Sequence, residues 1–114
     1  MPYRDWKLRV EHILDSITKI QHYTRVTTFE AFAADGMKVD AVVRNITIMG
    51  EAARHIPDEV QERYPEVPWN KMWAIRNVVV HEYFGVSLPI VWQTVKQNLP
   101  LLATLLKDIL EQES

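Results

Sequence analysis

Val39-Asp-Ala-Val-Val-Arg-Asn-Ile-Thr-Ile-Met-Gly-Glu-Ala-Ala-Arg-His-Ile56 places apolar side chains at Val39, Val42, Val43, Ile46, Met49, Ala53 and Ile56. Steps of three and four residues line up one face of an α-helix, whereas a half-buried strand would alternate with period two. The stretch therefore predicts one continuous helix, ended by Pro57, whose missing amide and bulky ring stop it. Upstream, Trp6, Val10, Ile13, Leu14, Ile17 and Ile20 follow the same rule, predicting a first helix from about Tyr3 to Tyr23. Between the two, Thr27-Thr-Phe-Glu30 has the form of a capping box opening a short helix through Ala34, which Asp35-Gly36 breaks. Downstream, Pro57, Pro65 and Pro68 bracket a short helix from Asp58 to Tyr64, and a further helix is expected from Trp69 to His81 or beyond. Ser87-Leu-Pro reads as an N-cap with proline in the first turn. The last helix then carries Leu88, Val91, Val95, Leu102, Leu105, Leu106 and Ile109, about 40 Å at ~1.5 Å per residue, with a kink expected at Pro100. With no strand pattern and no linker, residues 1–114 read as a single all-α domain, an up-and-down helical bundle.

Composition narrows the function classes. The 114 residues are 47% hydrophobic, enough for one compact core. Thirteen basic residues against fifteen acidic leave a formal charge of -2, so any nucleic-acid site must be a local cluster of cations. The absence of cysteine removes thiolate zinc sites and cysteine nucleophiles. The charged start does not read as a signal peptide, and the apolar run Leu99–Leu106 falls short of the ~20 residues of a membrane span. A cytoplasmic protein without a membrane association is the expectation.

The segment Arg76-Asn-Val-Val-Val-His-Glu-Tyr83 holds the residues best suited to chemistry. At about 100° per residue, and measured from Arg76, Tyr83 falls at about -20°, Val80 at about 40°, Trp73 at about 60°, Asn77 at about 100° and His81 at about 140°. Met72, Ile75, Val78 and Val79 lie elsewhere on the helix, so it is apolar on two sides, as a helix buried on both would be. A second subunit against the Trp73 and Val80 side would bury the remainder, making a symmetric homodimer with the active site in its cleft. Histidine titrates near neutrality, arginine offers a permanent planar charge to phosphoryl oxygens, and an asparagine amide can orient a phosphate. With the 2'-hydroxyl of RNA as nucleophile, Arg76, Asn77 and His81 suit internal transesterification without a metal or other cofactor. By themselves an arginine and a histidine at this spacing are more often structural.

Arg76-Asn77-x3-His81-x-Tyr83 resembles the Arg-x4-His-x-Tyr motif of HepT, the HEPN toxin of the HepT/MntA toxin-antitoxin system. The resemblance extends over Asp5 ahead of the first helix, His12-Ile13-Leu14, Phe32, Asp40-Ala41-Val42, Gly50-Glu51-Ala52, Tyr64-Pro65, Pro68-Trp69 and Val91-Trp92. It implies a dimeric endoribonuclease toxin with Arg76 and His81 in its active site and Asn77 in support. It also implies a partner, an MntA-like minimal nucleotidyltransferase antitoxin, that silences the toxin by adenylylating Tyr83. The alternative is a non-catalytic helical dimer that binds such a nucleotidyltransferase and is modified by it. From pattern alone, Tyr83 and Phe84 also fit an ordinary helix-end packing pair.

Other residues carry weaker signals. Gly50 would let another helix approach closely, and Glu51 either supports Arg76 or His81 from across the bundle or pairs structurally. Glu51 and His55 at i and i+4 lack the repetition of di-metal bundles and read as a surface pair. Trp73 either lines the cleft or belongs to the core. Arg44, Arg54 and Lys71 are candidates to join Arg76 in holding RNA.

Overall fold

The structure, a computed structural model, describes residues 5–81 and 87–114, and among them every regular element is helical. The elements are α1 (Asp5–Thr24), α2 (Phe29–Ala34), α3 (Gly36–Arg54), α4 (Asp58–Arg63), α5 (Trp69–His81), α6 (Leu88–Gln93) and α7 (Leu99–Gln112), with a π turn at Thr94–Asn98 joining the last two.

In α1 the residues Trp6, Val10, Ile13, Ile17 and Ile20 are all buried, so the apolar face read from the sequence is the face that meets the core. It packs on α3, which presents Val42, Ile46, Met49 and Ala53 inward, while the adjoining flank of α3, at Gly50, receives α5. Lys7 Nζ donates to the Glu113 carbonyl at 2.7 Å, and Lys96 Nζ donates to the Thr24 carbonyl at 2.8 Å. These contacts tie the start of α1 to the end of α7 and the end of α1 to the π turn, so the two helices run antiparallel. Leu99, Leu102, Leu106 and Ile109 complete the core from α7. Phe32 of α2, fully buried, closes one end against the Trp92 ring at 5.3 Å between centroids.

Local chemistry differs from the sequence reading at two places. The N-cap of α2 is Thr28, not Thr27: its hydroxyl oxygen accepts from the Ala31 amide at 3.1 Å. The helix begins at Phe29, so Thr28 is the residue that flanks its first turn, and its hydroxyl reaches the third following amide, that of Ala31. Asp35 serves two helices, closing α2 and capping α3 by accepting from the Lys38 amide at 3.1 Å. Before Pro100, where the sequence suggests a kink, the helix widens into a π turn. The Leu99 amide donates to the Thr94 carbonyl five residues back, and this π register adjusts the turn facing the Pro100 ring, which brings no amide of its own.

Candidate active site

The close approach of α3 and α5 sets the geometry. A Cβ built on Gly50 would fall inside contact distance of Arg76 Cβ and lie 2.8 Å from the Met72 carbonyl oxygen, so only a residue without a side chain lets the helices come this near. The numbering runs oppositely along the contact: Gly50 meets Met72 and Arg76, Glu51 meets Arg76, and Arg54 meets Trp73. The helices are thus antiparallel, and Glu51 and Arg54 project onto the Arg76 side of α5.

Arg76 is fixed at several points. Its Nη2 lies 2.5 Å from Glu51 Oε1, and its Nη1 donates to Asn77 Oδ1 at 3.0 Å. The guanidinium carbon also sits 4.8 Å from the centre of the Trp73 ring. The side chain is 19% exposed against 41% for Glu51, so the pair lies at the surface rather than in the core. Its Nε is shielded from solvent and, among the described residues, has no hydrogen-bond partner. Arg54, exposed at the last turn of α3, lays its own guanidinium 4.6 Å from the same Trp73 ring.

Of the residues singled out from sequence, Arg76, Asn77, Glu51 and Trp73 are therefore brought together. Glu51 pairs with Arg76 across α3 and α5, a contact that fits both support of Arg76 and a structural pair. Arg54 joins them. Lys71 does not: it lines a groove with Met72, Ile75 and Leu105 on the other flank of α5. Arg44 is exposed ten residues, about 15 Å, earlier along α3. His81 is the last residue of α5, while its side chain and Tyr83 lie outside the described residues. Among the described side chains of α5, Val78 is a large apolar one turned outward, 44% exposed, whereas Trp73 is already covered in part by two arginines of its own chain. Among the described residues no group of three or more His, Asp or Glu side chains converges as a metal site would require.

The sequence signal for Arg54 was its spacing: Gly50 and Arg54 are four apart on α3, and Trp73 and Arg76 three apart on α5, so each pair shares a helix face. Only the pairing of α3 with α5 turns two faces into one site.

The model of the ribonuclease HepT-like family matches residues 13–109. A protein of Thermococcus cleftensis named probable ribonuclease HepT is 38% identical over 99 residues, covering 87% of this chain and 90% of that one. A Caldanaerobacter subterraneus protein named as an RNase is 36% identical over 104 residues, with coverage of 91% and 93%. A Methanocaldococcus jannaschii protein, whose name joins a gamma-glutamylcyclotransferase to an RNase, is 37% identical over 109 residues. The chain spans about half of that protein's length, 49%, though 96% of its own. No solved structure matches the chain significantly. The match of a family model to most of the chain, together with relatives of similar length, places this protein in the HepT-like ribonuclease family.

Proposed function

We propose that the ribonuclease activity of this family is carried here by Arg76, Asn77 and His81, acting on RNA as a metal-independent endonuclease and toxin. The observation that supports it most is the guanidinium of Arg76, held by Glu51 and Asn77 beside an indole at the surface. A guanidinium so restrained meets a phosphoryl group with little reorganisation. In the reaction the 2'-oxygen of RNA attacks the adjacent phosphorus and loses its proton to a base. The bond from phosphorus to the 5'-oxygen breaks, and that oxygen takes a proton from an acid. The products are a 2',3'-cyclic phosphate and a 5'-hydroxyl. Arg76 stabilises the charge gathering on the non-bridging oxygens, Asn77 orients it, and His81 moves a proton. A symmetric homodimer supplies two copies of His81, one for each proton transfer.

Regulation follows the same chemistry. Adenylylation of the Tyr83 hydroxyl by an MntA-like nucleotidyltransferase antitoxin adds a bulky anion within the motif segment, and its phosphate competes with RNA for the cations. Among the described residues no helix is long and apolar enough to cross a membrane. Expression of the chain alone, with Arg76→Ala and with His81→Ala tests the reading. Growth arrest by the wild type that both variants relieve is the expected result, and equal arrest by all three overturns the assignment.

A further inference from the structure

Arg54 and Trp73 have no role in the reaction just described, yet they form the wall next to Arg76. Arg54 stands on an exposed helix end and rests on the indole, its side chain with no hydrogen bond or ion pair among the described residues. Arg76, by contrast, is paired with Glu51. Counting the three charged groups, two cations and one anion leave a net +1 at a site on a chain whose overall charge is -2. That surplus belongs to Arg54. A guanidinium resting on a half-buried indole is weakly held, because an exposed cation–π contact is easily exchanged for another stacking partner. The flat face it covers accepts a nucleobase equally well, and the displaced guanidinium is then free to meet a phosphate.

We propose that Trp73 and Arg54 form a nucleotide subsite beside the scissile phosphate: one unpaired base stacks on the Trp73 ring, and Arg54 swings from the ring to the phosphate of that nucleotide. The ligand is single-stranded RNA, since a base in a duplex has both faces occupied by its neighbours. This rests on the ribonuclease reading for the identity of the ligand, but it assigns residues that the reading leaves unused. It makes Arg54 a binding residue and Trp73 the platform that selects unpaired substrate. Glu51 keeps Arg76 from following Arg54, so the two arginines divide the work between two phosphates.

The test separates binding from cleavage. The full chain is titrated with a short 2'-O-methyl RNA, which cannot be cut by 2'-oxygen attack, and with an abasic oligonucleotide of equal length. Tryptophan fluorescence is read, with far-UV circular dichroism and thermal unfolding as controls for fold. The wild type is expected to bind the base-bearing oligomer with quenching that Trp73→Phe reduces. Trp73→Leu and Arg54→Ala are each expected to weaken binding about tenfold. Arg54→Lys should recover part of the loss, and the abasic oligomer should be indifferent to Trp73→Leu. Equal affinity and equal quenching in wild type and variants, or a wild type that does not bind the oligomer, overturns the proposal. Binding that depends on Trp73, in a chain that cuts no unmodified RNA, sinks the catalytic reading and leaves the subsite standing.

Discussion

Gly50 and Gly36 sit on the same helix and make opposite predictions. Gly36 opens α3 with nothing within 4 Å of where a methyl would stand and no positive φ, so Gly36→Ala should stabilise the fold by about 0.4–1 kcal/mol through the unfolded chain. Gly50→Ala drives a methyl into the Arg76 stem and the Met72 carbonyl, and should destabilise by about 1–3 kcal/mol while moving Arg76 out of position. Urea denaturation of the two variants and their RNase activity check this; a neutral Gly50→Ala would mean the helices can separate without consequence. Glu51→Gln removes the anion beside Arg76 but acts at a partly exposed pair, so its cost in stability should be about 1 kcal/mol or less. Loss of cleavage well beyond what that small destabilisation explains is expected, and unchanged cleavage by Glu51→Gln would show that Arg76 needs no support. Gly50 could be read in sequence as a point of close approach. That its partner was Arg76 could not, because nothing in a single helix says which residue crosses it.

Helix existence and bounds were legible because periodicity and proline placement act within one segment: the third helix, the short Asp58 piece and the Trp69–His81 helix all form where the pattern put them. The π turn at Thr94–Asn98 was not, since a proline's effect on the preceding turn depends on what that turn packs against. The C-terminal anchor of α7 was equally hidden. There the carboxylate of Glu113 accepts from the Tyr64 hydroxyl and pairs with Arg63 at 2.8 Å, joining the end of α7 to the end of α4. The Tyr64 hydroxyl first, and Arg63 second, hold the Glu113 carboxyl below its ordinary value of 4.5. The same carboxylate, aided by burial, pushes the Tyr64 hydroxyl up. A carboxyl lowered in the folded state contributes stability above its unfolded value and loses it as pH falls through the folded one. The melting temperature of Glu113→Gln should therefore lie below wild type at pH 7 and converge with it in strong acid. A constant difference across that range would show that Glu113 does not titrate against the fold.

At the scale of the molecule, an acidic chain must bind an anionic polymer through a local surplus of positive charge, and the α3–α5 contact carries such a surplus. The homodimer proposed around this site has a natural seam in the exposed flank of α5, where Val78 and Ala74 face outward. Val78→Glu should yield monomers by sedimentation and lose RNase activity with them, because one chain supplies one His81; an active monomer would remove the need for a shared cleft. Sequence alone suggested the cleft from the two apolar flanks of this helix and put Trp73 and Val80 on the seam; two intrachain arginines lie beside the Trp73 ring. The central claim is that Arg76 stabilises the phosphoryl group during attack by the 2'-oxygen, without a metal. Purified wild type and Arg76→Ala, incubated with unstructured RNA in excess chelator and followed by analysis of the new ends, address it most directly. The expected result is 2',3'-cyclic phosphate and 5'-hydroxyl ends from the wild type and a loss of about 100-fold or more in rate for the variant. Cleavage by Arg76→Ala at the wild-type rate, or wild-type products ending in 5'-phosphate, would contradict it.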